Sequence, residues 1–107
     1  MLVLIDSGSV GTFVSQHLVH QLGLSTEQCA CITYRAANGG MMLSETNVQR
    51  LHWFIQGHKF TSEARVLPLK CYDLIVGEDW LEDCSPMLID YKLKTMKFNY
   101  KGQMVEL

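Results

Sequence analysis

Asp6-Ser7-Gly8 places a carboxylate, a hydroxyl and a residue without a side chain in consecutive positions. A carboxylate so placed can accept backbone N–H groups of its own turn, and the glycine permits close approach. Two such carboxylates sharing one proton can hydrolyse a peptide bond. One activates a water and the other protonates the carbonyl oxygen. Alone, the triplet is a weak signal. It arises by chance in a chain of this length roughly 5% of the time, and an Asx-type turn at a strand end uses the same residues. Asp73, Asp79, Asp83 and Asp90 lack the hydroxyl and glycine that follow Asp6. Each chain thus supplies one such triplet.

The other reactive side chains are less organised. His17 and His20 stand three residues apart, with Cys29 and Cys31 further on. Two His and two Cys can hold zinc, but Cys29-Ala30-Cys31 is too tight for the usual knuckle, so no metal or other cofactor is expected. Cys29, Cys31, Cys71 and Cys84 read as reduced thiols of a cytoplasmic protein. Tyr34, Trp53 and Phe54 could stack bases, but no basic patch accompanies them, and core packing explains them better. The formal net charge of −2 argues against a nucleic-acid or anionic-membrane partner. No apolar run approaches the ~20 residues that span a bilayer, and Met1–Ile5 is too short for a signal peptide.

The elements that must position Asp6 follow from periodicity. Leu2–Ile5 is a continuous β-prone run that stops at the turn formers Asp6-Ser7-Gly8-Ser9. Val14, Leu18 and Leu22 recur at helical spacing, which predicts a short helix over Thr12–Leu22, capped by Thr12 and stopped by Gly23. Asn38-Gly39-Gly40 separates two apolar, β-prone segments, a strong hairpin signal. Strands are expected over Val48–Ile55 and Phe60–Leu67, joined at Gln56-Gly57-His58, with Pro68 ending the second. Tyr72–Val76 reads as a second buried strand, ending at Gly77. A short helix with acids in its first turn should follow over Glu78–Asp83, as the helix dipole prefers. Met87–Tyr91, Thr95–Tyr100 and Met104–Leu107 complete seven or eight short strands with one or two helices. That is a mainly β class, a barrel or sandwich, and residues 1–107 form one domain.

These segments, in this order, resemble the retropepsin-like aspartic proteases. More narrowly, the chain looks like the protease domain of plant Ty3/gypsy-type retrotransposon polyproteins. The resemblance rests on Leu4-Ile5-Asp6-Ser7-Gly8-Ser9, Phe13-Val14-Ser15, Gln21-Leu22-Gly23-Leu24 and Ala37-Asn38-Gly39-Gly40. It continues through Gln56-Gly57-His58-Lys59-Phe60, Val66-Leu67-Pro68-Leu69 and Tyr72-Asp73-Leu74-Ile75-Val76-Gly77-Glu78-Asp79-Trp80-Leu81. It implies a closed β-barrel with one or two short helices, acting as a homodimer on an extended peptide of a polyprotein. Hydrolysis by such a pair would favour mildly acid pH, because one carboxyl must stay protonated.

The resemblance also assigns roles. Asp6 would be the catalytic carboxylate. The Ser7 hydroxyl would bond across the dimer axis, and the Gly8 N–H would help hold the carboxylates. Ser9 stands where its hydroxyl could bond the Asp6 carboxylate. Asn38, Gly39 and Gly40 match the tip of a flap that closes over substrate. Ile75 and Val76 match the cleft wall, and Gly77 lets its strand pass beneath the active loop. Asp79 is expected to bond near that loop and Trp80 to pack. Val10 and Glu78 occupy positions where retroviral relatives often carry an acid and an arginine, so that ion pair is absent. The family normally has a strand before the Asp strand, and here only five residues precede Asp6. These departures motivate an alternative: a catalytically silent, domesticated or truncated module that binds peptide or protein, or dimerises.

Overall fold

The computed structural model describes residues 1–36 and 39–107. Nine strands and two helices are found among them. β1 (Val3–Ile5) leads into the Asp6 loop, and β2 (Phe13–Ser15) runs directly into α1 (Gln16–Leu22). β3 (Glu27–Arg35), β4 (Met41–Ile55) and β5 (His58–Leu67) form two successive hairpins. β6 (Leu74–Val76) precedes α2 (Glu78–Asp83), and β7 (Met87–Asp90), β8 (Thr95–Tyr100) and β9 (Gln103–Glu106) end the chain.

The ladders form a six-stranded sheet, in the order β1-β6-β2-β5-β4-β3, and a three-stranded sheet, β7-β8-β9. Among the described residues the large sheet thus ends in two edge strands, β1 and β3, and its ladder draws no closed barrel. β6 pairs parallel with β1 and antiparallel with β2, so it sits between the strand that enters the Asp6 loop and the strand that leaves it.

The predicted helix over Thr12–Leu22 is corrected at its start. Phe13-Val14-Ser15 is a strand, because Val14 pairs with both Leu74 and Val66 in the middle of the sheet. An aromatic and a β-branched residue fit that pleated, buried setting, and sheet contact outweighs helical spacing. Ser15, not Thr12, is the helix N-cap residue. Leu22, the third apolar position of the helical pattern, is 60% exposed, whereas Leu18 and Val19 point inward.

The turns form where the residue types allow positive φ. Gln56 (51°) and Gly57 (82°) make the two-residue connection of β4 and β5, and Lys101 (50°) and Gly102 (80°) that of β8 and β9. Positive φ at both central positions is the mark of a type I′ hairpin, whose twist suits its strands. In the turn between β7 and β8, Asp90 Oδ1 accepts the backbone N–H groups of Lys92 and Leu93, both at 3.0 Å.

One buried cluster joins the two sheets. Trp53 and Phe60 lie with ring centroids 4.7 Å apart. Trp80 of α2 stands 5.4 Å from Phe60 and 5.5 Å from Phe98 of the small sheet. Trp53 and Trp80 are therefore core residues, as expected, while Phe54 faces out. Tyr34 is half-buried, edge-on to Phe13. Among the described residues, no helix is long and apolar enough to cross a membrane.

Candidate active site

β1 is only three residues long, yet it ends by handing Asp6 to a tightly tied loop. The Asp6 N–H donates to the Val76 carbonyl at 2.9 Å, closing the β1–β6 ladder at its last step. Within the loop, the Ser9 N–H donates to the Asp6 carbonyl at 3.1 Å, and the Gly8 N–H donates to Asp6 Oδ1 at 2.9 Å. The Gly8 amide thus bonds the carboxylate of its own chain. It occupies one carboxylate oxygen and orients the other. Asp6 is half-buried, while Ser7 and Gly8 are exposed.

Ser9 differs from expectation. Its hydroxyl donates to the Gly11 carbonyl at 2.7 Å, not to the Asp6 carboxylate. Ser9 thereby shapes the return of the loop, and its own carbonyl accepts the Glu78 N–H at 2.8 Å. Gly77 lies beneath this return. A Cβ there would run into the Gly11 carbonyl oxygen and would stand 2.6 Å from that of Ser9. The glycine is required for space, not for conformation, since its φ is −108°.

A second tie was not foreseen. Thr12, read from sequence as a helix cap, is buried, and its hydroxyl donates to Asp79 Oδ1 at 2.8 Å. The same Asp79 oxygen accepts the Trp80 N–H at 2.9 Å. The Gly77 N–H points at Thr12 Oγ1 from 3.4 Å. Thr12 and Asp79 thus pin the end of the Asp6 loop to the first turn of α2. The expectation that Asp79 bonds near the active loop is met, and its partner is Thr12. The competing signal for Thr12 was the β-prone Phe13-Val14 that follows it. Val10 is 78% exposed and Glu78 is exposed too.

The remaining expected residues divide. Ile75 and Val76 lie on β6, beside β1, but neighbouring strand residues point to opposite faces. Val76, with 0% exposure, belongs to the core with Leu74, so its side chain is no part of an open cleft wall in the single chain. Ile75 takes the opposite face and is half-buried. Gly39 and Gly40 are exposed in the loop joining β3 to β4, where the Ala36 N–H donates to the Gly40 carbonyl at 2.7 Å and the Gly39 N–H to the Ala36 carbonyl at 3.0 Å. Asn38, the third flap residue, lies outside the described residues. The structure thus brings Asp6, Ser7, Gly8, Ser9 and Gly77 together, with Gly39 and Gly40 on a separate hairpin.

A groove of about 320 Å³ opens beside the loop, lined by Val10, Gly11, Thr12, Tyr34, Arg65 and Asp79 among others. A larger one, about 640 Å³, lies between α1 and the β4 and β5 strands, away from Asp6. His17 and His20 are exposed on α1, and Cys29 and Cys31 stand on β3. Cys29, Cys31, Cys71 and Cys84, all among the described residues, are free.

The fold has a close counterpart among solved structures. The retroviral protease-like domain of Ddi1 from Leishmania major superposes with a TM-score of 0.64 at 17% identity, covering 98% of this chain and 82% of that one. At that identity the likeness establishes the fold. Comparison with curated proteins gives no match. A family model, the PEG10/RTL1 protease domain, matches residues 2–104, which include β1, the Asp6 loop, β6 and α2. With a retroviral protease-like fold and a match over nearly its whole length, the chain belongs to the PEG10/RTL1 protease domain family.

Proposed function

We propose that the chain is an aspartic endopeptidase that cleaves polyprotein peptide bonds as a homodimer, inside the cell. The observation that carries this reading is the Asp6 loop. A single strand delivers a half-buried carboxylate, the Gly8 amide holds one of its oxygens, and Ser7 and Gly8 are left exposed beside it. One chain supplies one such loop. Two loops facing each other across a two-fold axis would set two carboxylates close enough to share a proton, because two like charges at that range cannot both ionise. The ionised member takes a proton from water as the water attacks the peptide carbonyl, and the protonated member gives its proton to the carbonyl oxygen. An extended peptide suits the site, since such substrates bind by adding a strand beneath a covering hairpin. In this reading the β3–β4 hairpin is that cover. The reading extends the family match to a Ty3/gypsy-type polyprotein as substrate, without assigning a host.

The test is Asp6→Asn. The side chain keeps its size and its acceptor for the Gly8 amide but cannot carry the charge. Hydrolysis of a peptide library should fall by at least about a thousandfold, as for other removed catalytic groups. Retained hydrolysis would sink the mechanism. A second reading, a silent module that binds peptide without cutting it, is motivated by the exposed Val10 and Glu78. Peptide binding that Asp6→Asn leaves intact, with no cleavage by the parent chain, would favour it.

A further inference from the structure

Asp6 owes its position to β1, a three-residue strand at the edge of the sheet, paired among the described residues with β6 alone. Three ladder positions (Val3, Leu4 and Ile5 on Leu74, Ile75 and Val76) are a slender support for a group that must be held to a fraction of an ångström. The far end of β1 is tied chiefly by Asp73, through both its side chain and its backbone. Leu2 N–H donates to Asp73 Oδ2 at 2.7 Å, and the Asp73 N–H donates back to the Leu2 carbonyl at 2.9 Å. Leu74 N–H reaches that same carbonyl at 3.3 Å. On its other side, the Asp73 carbonyl accepts the Ser15 N–H at 2.8 Å, at the junction of β2 and α1. The Asp73 backbone therefore links the strand leading to the loop with the strand leaving it, and its carboxylate adds the bond to the Leu2 N–H, while Val76 holds the loop end. A carboxylate acceptor makes a stronger bond to a backbone N–H than a neutral one does.

We propose that Asp73 is a positioning residue for Asp6. It touches no reacting atom. It fixes the start of β1, and the short strand carries that constraint to the catalytic carboxylate. The inference rests on the function proposed above for its kinetic consequence, but not for its structural one.

The experiment compares the parent chain with Asp73→Ala and Asp73→Asn, the latter keeping an acceptor oxygen. Amide hydrogen exchange is read at Asp6, whose N–H makes no contact with the Asp73 side chain, and at Trp53 and Phe60 in the core. We expect exchange at Asp6 to quicken roughly tenfold in Asp73→Ala and to stay within about threefold of the parent in Asp73→Asn, with the core amides unchanged. In peptide hydrolysis, Asp73→Ala should lower kcat about tenfold with KM within about twofold, and Asp73→Asn should recover most of the loss. Unchanged exchange at Asp6 in Asp73→Ala would overturn the proposal, as would equal effects of Ala and Asn, or a matching rise at Trp53 and Phe60. If the parent chain cleaves nothing, the endopeptidase reading fails while the exchange comparison still decides the role of Asp73.

Discussion

The Gly8 amide meets Asp6 Oδ1 because the loop turns within two residues, and that turn closes only if the returning chain can lie on Gly77. A methyl group at position 77 has nowhere to go, for its neighbours are the backbone carbonyls of Ser9 and Gly11, which cannot rotate aside. Gly77→Ala should cost about 1–3 kcal/mol, as overpacking does. Urea unfolding would show it as a lower midpoint with an unchanged slope. The triplet Asp6-Ser7-Gly8 was legible in sequence because residue types alone carry it. The Ser9 hydroxyl was not, because two acceptors lay within its reach and only the loop path sends it to Gly11. Cys84 bears a different prediction. Its side chain has 0% exposure, and burial, aided by the Asp83 charge, pushes the thiol up from an ordinary 9.0 to about 12. The folded state holds that proton more tightly than the unfolded one. The resulting stabilisation is therefore complete below pH 9.0 and is lost as pH rises from 9.0 towards 12. Replacing the thiol by Cys84→Ala should flatten the fall of stability in that window, measured by urea unfolding at stepped pH. At neutral pH the exposed Cys31 and Cys71 should react with a thiol reagent while Cys84 stays silent until the chain unfolds.

Elements were legible in proportion to how local their causes are. The turn at Gln56-Gly57 and the turn at Lys101-Gly102 follow from a glycine between β-prone runs, and both formed. α2 carries its acids in the first turn, as read from sequence. β2 was missed because Val14, Leu18 and Leu22 imitate a helix, and only the neighbouring strands β5 and β6 show that Val14 belongs to a sheet. β4 was read as two pieces, yet it is a single strand of 15 residues. It carries a register shift against each neighbour, which bends it between its two hairpins without ending it. The β4–β5 turn gives the prediction at this scale. Gly57 has φ 82°, with open space where a Cβ would stand, so only conformation limits it. Gly57→Ala should cost about 1–2 kcal/mol, the penalty of a side chain in left-handed backbone. The loss should appear in thermal melts and leave the Asp6 loop untouched, since the turn closes the hairpin through Ile55 and His58. An equal loss on placing alanine at position 56, where φ is already positive without glycine, would refute that argument.

The whole molecule combines a well-packed core with a partly exposed Asp6 loop. Trp53, Phe60, Trp80 and Phe98 join the large sheet, α2 and the small sheet into one packed body, so the chain has a core of its own. Pairing of sheets was beyond sequence reading, because it depends on which aromatic rings meet across long stretches of chain. The site, by contrast, holds a single Asp6 loop with Ser7 and Gly8 turned outward. If the endopeptidase reading holds, catalysis and self-association are the same event, and concentration governs both. A transition-state inhibitor of aspartic proteases that needs both carboxylates binds the dimer and not the single chain. At a free concentration about a hundredfold above its dissociation constant, it should favour the dimer by about 2.7 kcal/mol. The apparent dimer dissociation constant should therefore drop about a hundredfold, a shift that sedimentation equilibrium resolves. Asp6→Asn should dimerise with the inhibitor far less readily than the parent chain, because the shared proton and its charge are what the inhibitor recognises. A parent chain that sediments as a monomer at every concentration, with or without inhibitor, would mean that its Asp6 carboxylates never meet, and the peptide-binding reading would take its place.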